Sequence, residues 1–359
     1  MQARIYVYSP SGAVRDKKAF RLGLKRLQAA GYAVQADDSA LASHLRFAGD
    51  DATRLAALAR AAASGADMAL ITRGGYGLTR ILGQIDYAAI SASIQNGMAW
   101  MGYSDFTALQ LALLAQQGAG RHSLTWAGLG VMGDVACANR DGAEPDDITM
   151  ACLDDVLQGY AEGTGWRMSA AQGRSWQAAY GAGEHQIDDA VLWGGNLCVL
   201  SSLLGTPYFP HFAADKKGKT SGVHGGVLFL EDVAEHPYRI ERMLTQLLHA
   251  GVLHSQRAIV LGAFSDYRLS AHDKGFDMKA VVAWLRSQLP PEVLLLEGLP
   301  FGHVETKVCL PVGQRISLQL SGRDVLLLWG ALHPHADDGH EHGAGCGPDC
   351  QQHRAYPNY

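Results

Sequence analysis

The segment WMGYSDFTALQLAL places Ser104 where an apolar strand meets a helix. This order of strand, sharp turn and helix is typical of hydrolases that present a nucleophilic serine, although GYSD is not the complete G-x-S-x-G pattern. A helix that begins just after Ser104 offers free backbone N–H groups and a positive dipole end, which stabilise an oxyanion when the hydroxyl attacks a carbonyl. The alternative is that Ser104 or Asp105 only caps the helix.

A glycine-rich turn follows the preceding strand, in the sequence ITRGGYG at 71–77. In a parallel sheet the ligand crevice lies at the carboxyl ends of the strands, so we expect this turn to lie beside Ser104. The N–H groups of this turn would then supply the second half of the oxyanion hole. The alternative is a phosphate-binding loop, but the spacing matches neither G-x-G-x-x-G nor a P-loop.

A serine nucleophile needs a base, and the base needs an acid that orients it. His303 lies in EGLPFGHVETKVCLPVG, where glycine and proline on both sides indicate a loop between strands. Glu231 ends the apolar run GGVLFLE, at the carboxyl end of a strand. The alternatives are that His303 is an ordinary loop histidine and that Glu231 pairs with Arg239 or Arg242.

The chain has 359 residues, which suits two domains, and its patterns predict an α/β fold. In the first part, apolar strands alternate with helices, which predicts a parallel sheet covered on both faces. The predicted strands there are 3–9, 32–37, 68–73 and 98–103, and the helices are 16–30, 51–64 and one that begins near Asp105. A second domain of mixed strands follows. Its predicted strands are 226–231, 257–263, 292–296, 315–320 and 324–329, and its helices lie near 195–204, 237–250 and 277–288.

The stretch 130–190 is polar and rich in glycine, with one helix expected near 147–160. We interpret it as the domain connection plus an insertion. The expected units are therefore residues 1–150, the connection 151–189, a second domain at 190–332 and a polar tail at 333–359. The tail has no apolar period and cannot build a core.

Composition excludes several classes of protein. The net charge is −5 and no basic run is interleaved with aromatic residues, so we expect no nucleic-acid partner. No apolar stretch approaches the roughly 20 residues that span a bilayer, and no signal peptide is recognisable, so we expect a cytoplasmic protein without membrane contact. No cofactor or metal is expected at the site. Speculative metal ligands occur in the tail, at His340, His342, Cys346 and Cys350.

Six motifs occur in one order along residues 3–330: YSPSG, RGGYG at 73–77, GYSD at 102–105, WGGNL at 193–197, LFLED at 228–232 and GLPFGH at 298–303. Together they resemble the LD-carboxypeptidase family, which includes muramoyltetrapeptide carboxypeptidases and microcin C self-immunity proteins. The resemblance implies a Rossmann-like N-terminal domain, a C-terminal domain of swivelling-barrel type and a homodimer.

The resemblance also implies a triad, with Ser104 as nucleophile, His303 as base and Glu231 as its orienting acid. It further implies an oxyanion hole formed by the N–H group of Asp105 and that of Gly74 or Gly75. The implied reaction releases terminal D-Ala from murein tetrapeptides in cell-wall recycling. The candidate substrate-binding residues are Arg73 and Tyr103. Arg73 is a candidate for binding the terminal carboxylate, and the alternative is that it belongs to a structural ion pair.

Two other functions stay open at this stage. An immunity-type amidase that cleaves aminoacyl or peptidyl nucleotide conjugates would need an aromatic platform for the base, from Trp166 or Trp176. A non-enzymatic metal-binding or sensory protein would use the tail, but the intact triad segments argue against this as the main function.

Overall fold

The computed structural model describes residues 2–120, 122–140, 142–213 and 222–332. Within these residues the chain forms thirteen strands and nine α-helices. The strands are β1 (Arg4–Tyr8), β2 (Ala33–Ala36), β3 (Met68–Ile71), β4 (Ala99–Gly102), β5 (Thr125–Ala127), β6 (Gly163–Arg167), β7 (His185–Asn196), β8 (Val227–Val233), β9 (Ala258–Ser265), β10 (Leu294–Glu297), β11 (Leu310–Val312), β12 (Arg315–Ser321) and β13 (Asp324–Leu328). The helices are α1 (Lys17–Ala29), α2 (Asp51–Ala63), α3 (Tyr87–Gln95), α4 (Thr107–Gln117), α5 (Asp147–Gln158), α6 (Ala170–Tyr180), α7 (Leu197–Leu203), α8 (Pro237–His249) and α9 (Met278–Gln288).

The first sheet has the strand order β11-β5-β4-β3-β1-β2, and β1 to β5 are parallel. Every residue of β3 and β4 is buried, as expected for strands covered on both faces. The predicted Rossmann-like sheet is therefore confirmed. Its strand order reverses between β1 and β3, and in doubly wound sheets the ligand crevice lies at such a switch point. The loops that leave the carboxyl ends of β1, β3 and β4 meet there.

The second sheet is mixed, with the order β10-β9-β8-β7-β12-β13-β6. Strands β7 to β10 are parallel to one another, whereas β12, β13 and β6 continue the sheet in antiparallel pairs. The expectation of a mixed α/β second domain is therefore confirmed. The exact domain boundaries proposed above stay a prediction.

Residues 130–190 differ from the sequence-based interpretation. The sequence predicts a domain connection plus an insertion there, with a single helix. The structure instead forms β6, α6 and the first half of β7 there, in addition to the expected α5. Strand β6 pairs with β13, and β7 joins β8 to β12, so this part of the chain completes the second sheet.

The two halves of the chain are joined by direct packing. Strand β11 comes from the C-terminal half but pairs with β5 of the first sheet. Helix α4, which follows the nucleophile turn, contacts α7 and β7 of the second unit. No helix within the described residues is long and apolar enough to cross a membrane.

Candidate active site

Ser104 lies directly after β4 at the turn into α4, as the sequence predicted. Its backbone φ is +62°, a left-handed conformation that is strained for a residue with a side chain. Such strain is typical of strand-to-helix turns that present a nucleophilic serine. The capping alternative is wrong, because α4 has Phe106 at its N-cap and no side chain caps it.

His303 and Glu231, which are 72 residues apart in the sequence, form a hydrogen-bonded pair. Nδ1 of His303 lies 2.8 Å from Oε2 of Glu231, whose side chain is completely buried. With Nδ1 donating to the carboxylate, the tautomer leaves Nε2 of His303 as an acceptor. Arg239, an alternative partner of Glu231, pairs instead with Glu235.

A local irregularity in β8 places the carboxylate. The register between β8 and β9 shifts between Leu230 and Asp232, and Glu231 occupies the shift. Irregular pairing of this kind re-aims side chains next to active sites. Glu231 was expected to end its strand, but β8 continues to Val233.

Ser104 and His303 line one cavity of about 460 Å³, at the junction of the two halves. Arg73, Gly74, Gly75 and Tyr103 line the same cavity, so it gathers most of the side chains singled out in the sequence. No hydrogen bond joins Ser104 to His303 among those that the described residues make. Catalytic hydrogen bonds of this kind commonly tighten only when substrate binds.

The glycine turn lies against Ser104. A Cβ placed on Gly74 would be 2.9 Å from Oγ of Ser104 and 3.2 Å from the backbone nitrogen of Asp105, so only glycine fits. The carbonyl of Gly74 accepts a hydrogen bond from the N–H of Gly12 at 3.1 Å. Because the peptide is trans, the N–H of Gly75 points the opposite way.

Asp105 is buried, and its carboxylate accepts a hydrogen bond from the N–H of Leu78 at 3.0 Å. Burial raises the pKa of this carboxyl, while the hydrogen bond to Leu78 opposes the shift. The side chain of Asp105 therefore ties the nucleophile turn to the glycine turn. Its backbone N–H, at the start of the helix, stays available to an oxyanion.

Models of known families match both halves of the chain. The LD-carboxypeptidase N-terminal domain matches residues 5–123, and the LD-carboxypeptidase C-terminal domain matches residues 189–318. A relative from Synechocystis that is named as a carboxypeptidase is 30% identical over 88% of this chain and 91% of its own length. The chain belongs to the LD-carboxypeptidase family.

Three further relatives are informative. The murein tetrapeptide carboxypeptidase of Pseudomonas aeruginosa is 28% identical over 69% of this chain and 70% of its own length. The crystal structure of the muramoyltetrapeptide carboxypeptidase from Oxalobacter formigenes has a TM-score of 0.73 and 33% identity, covering 91% of this chain and 99% of that one. The microcin C7 self-immunity protein MccF, at 20% identity and a TM-score of 0.73 over 93% and 98% of the chains, shares the fold.

Asn196 also contacts this site, although the sequence alone did not predict a role for it. Its side-chain amide donates to Oε1 of Glu231 at 3.1 Å and to Oδ1 of Asp232 at 3.0 Å. Its backbone N–H donates to Oγ1 of Thr107 on α4, 3.1 Å away, which links the acid to the nucleophile helix. The sequence signal for Asn196 is its place in the WGGNL motif.

The glycine before Asn196 explains part of that motif. Gly195 has a φ of +133°, and a Cβ there would be 2.4 Å from Oγ1 of Thr107. Glycine therefore lets β7 approach the nucleophile helix closely enough for Asn196 to bond across the junction.

Two arginines line the cavity, and neither forms an ion pair within the part of the chain that the structure describes. Arg73 and Arg15 both line it, and Arg73 makes a single side-chain hydrogen bond, from Nη1 to the carbonyl of Ala13 at 3.3 Å. Burial lowers the pKa of Arg73, and the nearby cations Arg15 and Arg46 act in the same direction. No ion pair holds Arg73 within the described residues, so the structural ion pair is not found. Arg15 was not predicted, because its only signal in the sequence is its position after β1.

The two tryptophans considered for a nucleobase platform do not line this cavity. Trp176 is 1% exposed and its ring packs against Tyr180 and His185, so it is a core residue. Trp166 donates its indole N–H to the carbonyl of Glu297. The proposed platform is therefore wrong for both. The tail residues His340, His342, Cys346 and Cys350 lie outside the described residues.

Proposed function

We propose that this enzyme is a serine-type LD-carboxypeptidase that releases terminal D-alanine from murein tetrapeptides. The observation that carries the proposal is the hydrogen bond between His303 and buried Glu231 beside the cavity that holds Ser104. This pairing supplies a base of defined tautomer, which a serine needs in order to attack an amide.

In the proposed reaction, Nε2 of His303 takes the proton of Ser104 as Oγ attacks the carbonyl of the scissile amide. The oxyanion is held by the N–H of Asp105 and the N–H of Gly75, with Gly74 providing the close approach. His303 then donates its proton to the D-alanine amine, which leaves. Water, activated by the same imidazole, hydrolyses the acyl-enzyme and restores Ser104.

Arg73 is proposed to bind the C-terminal carboxylate of the substrate. A C-terminal D-alanine carries a methyl group and a free carboxylate, so its site needs a cation and little apolar room. A guanidinium binds a carboxylate with two parallel hydrogen bonds. Arg73 lines the cavity and forms no ion pair within the described residues, and Arg15 adds a second cation. The carboxylate of Asp16, on the same wall, caps α1 by accepting hydrogen bonds from the N–H groups of Lys18 and Ala19. Tyr103, the remaining candidate, lines the same wall.

Two finer points rest on the family resemblance. We propose that the enzyme is a homodimer, which sedimentation equilibrium of the purified chain tests. We propose that it acts in the cytoplasm on recycled murein peptides, which fractionation of cells that express it tests.

The decisive experiment is a side-by-side assay of the purified full-length chain. The substrates are a murein tetrapeptide ending in D-Ala, the same peptide ending in L-Ala, and an aminoacyl sulfamoyl-adenosine. We expect D-Ala release from the first substrate only, and no activity in Ser104→Ala. Efficient cleavage of the nucleotide conjugate without D-Ala release would replace the proposal with the immunity-type amidase.

A further inference from the structure

We infer that the buried ion pair between Asp134 and Lys307, acting through the ring of Tyr103, holds the base His303 in position relative to the nucleophile Ser104. The inference rests on the catalytic roles proposed above. It assigns a positioning function to two charged residues that the reaction itself does not use.

The ion pair crosses from one half of the chain to the other. Nζ of Lys307 lies 2.6 Å from Oδ1 of Asp134, and the two side chains are only 1% and 5% exposed. The other carboxylate oxygen, Oδ2, accepts a hydrogen bond from the N–H of Gly130 at 2.8 Å. Gly130 lines the catalytic cavity, so Asp134 anchors Lys307 directly to the cavity wall.

Tyr103 connects this ion pair to both proposed catalytic residues. Nζ of Lys307 lies 4.0 Å from the centroid of the Tyr103 ring, within cation–π distance. The same ring packs against the imidazole of His303, with centroids 5.0 Å apart. Tyr103 immediately precedes Ser104, and Lys307 follows His303 by four residues. The aromatic ring therefore contacts the loop of the base while its backbone belongs to the nucleophile turn.

The backbone around Lys307 has separate anchors. Its N–H donates to Oγ1 of Thr149 at 2.9 Å, and Oγ1 of Thr306 donates to Asp146 at 2.8 Å. These contacts can hold the loop in place without the ammonium group. A side-chain role of Lys307 is therefore separable from the folding of its loop.

Burying two charges is a poor way to gain stability. The desolvation cost commonly equals the attraction, and apolar or neutral replacements of both partners are often tolerated. The ion pair packs against the Tyr103 ring, which lies beside the proposed base His303. Positioning of this ring explains the buried pair better than a gain in stability does. A misplacement of about 1 Å at a reacting centre costs on the order of 100-fold in rate.

The first test is the double variant Asp134→Asn/Lys307→Met, which neutralises both groups and keeps an oxygen for the N–H of Gly130. We expect kcat for D-Ala release to fall about 10- to 100-fold, with KM changed less than about threefold. The control is Arg140→Gln, which removes the more exposed contact from Arg140 to Glu305 on the same loop. Its kcat should stay within about threefold of wild type. A double variant with wild-type kcat would overturn the inference.

A second variant covers the case in which the double variant does not fold. Tyr103→Leu keeps the ion pair and removes the ring. We expect a loss of kcat as large as in the double variant, and combining the changes should cost less than the product of the separate effects. A rise in KM with unchanged kcat would assign the ring to substrate binding and overturn the positioning role.

A readout without substrate separates this inference from the proposed function. In protein labelled with 15N-histidine, the Nδ1 proton of His303 that is bonded to Glu231 should give a resolved NMR signal. We expect the signal to be lost in the double variant or in Tyr103→Leu, and kept in Arg140→Gln. A signal unchanged in all variants overturns the inference, whichever substrate the enzyme cleaves. Failure to release D-Ala with the expected NMR changes would overturn the proposed function alone.

Discussion

Gly74 lies so close to Ser104 that a single added methyl group would overlap the serine side chain. A Cβ on Gly74 would be 2.8 Å from Cβ of Ser104 and 2.9 Å from its Oγ. The backbone of Gly74 is outside the left-handed region, so an alanine there would clash without straining its own backbone.

This contact predicts the effect of Gly74→Ala. We expect kcat to fall about 100- to 1,000-fold, because the methyl group displaces Ser104 or the adjacent N–H donors. The matched control is Gly183→Ala, since nothing lies within 4 Å of a Cβ at that glycine. Steady-state kinetics and thermal unfolding of both variants check the prediction. A folded Gly74→Ala enzyme with wild-type kcat would contradict the described geometry.

The strain at Ser104 predicts that two inactive variants, Ser104→Ala and Ser104→Gly, differ in stability. Ser104→Ala and Ser104→Gly both lose the nucleophile and should be inactive. Glycine adopts a φ of +62° without the Cβ penalty, so Ser104→Gly should unfold with about 1 kcal/mol more free energy than Ser104→Ala. Urea titrations of the two variants measure the difference. Equal stability would show that the turn is not strained.

Asn196→Ala should impair both catalysis and stability. The substitution leaves two buried carboxylates, Glu231 and Asp232, each without one hydrogen bond. We expect about 1–3 kcal/mol of destabilisation and a fall in kcat, because Glu231 is free to turn away from His303. Ser202→Ala on the exposed face of α7 is the control. Retention of wild-type kcat by Asn196→Ala would show that Asn196 does not position the acid.

Asp232 predicts a specific pH dependence of stability. Burial, reinforced by the neighbouring charge of Glu231, raises the pKa of Asp232 from 3.8 to about 6. Between these values the folded protein binds a proton that the unfolded chain has released. The contribution of Asp232 to the free energy of unfolding therefore falls as pH rises from about 4 to about 6.

The size of this contribution is on the order of 3 kcal/mol across that range. Urea unfolding of the wild-type protein and of Asp232→Asn, at pH 4 to 7, measures it as the difference between their pH profiles. We expect wild type to lose stability relative to Asp232→Asn as the pH rises. Parallel profiles for the two proteins would refute the raised pKa.

Arg73→Ala should weaken hydrolysis only for substrates with a free terminal carboxylate. A charge-assisted hydrogen bond contributes about 1.5–3 kcal/mol, so kcat/KM should fall roughly 10- to 100-fold. The same peptide with an amidated terminus serves as the internal control and should be affected little. An equal loss on both substrates would assign Arg73 a structural role. Arg15→Ala, tested in parallel, shows whether the second cation contributes.

The sequence by itself determined the features that depend on neighbours along the chain. Apolar strands with the right length and spacing predicted β1, β3 and β4, and the turn into α4 identified Ser104. These follow from local conformation and from the free N–H groups at a helix start, which need no distant partner. The pairing of His303 with Glu231 was available only as an implication of the family motifs, because nothing local in either segment specifies the other.

The tertiary structure decided the rest. Strand β6 carries Gly163 and Gly165, which have low strand propensity, so it forms only because β13 pairs with it. Asn196, Arg15 and Lys307 acquire their contacts from segments far along the chain, and their residue types alone do not distinguish them from ordinary polar residues. A buried hydrogen bond or ion pair is defined by the positions of two groups in space, and those positions arise only when the two halves of the chain pack against each other.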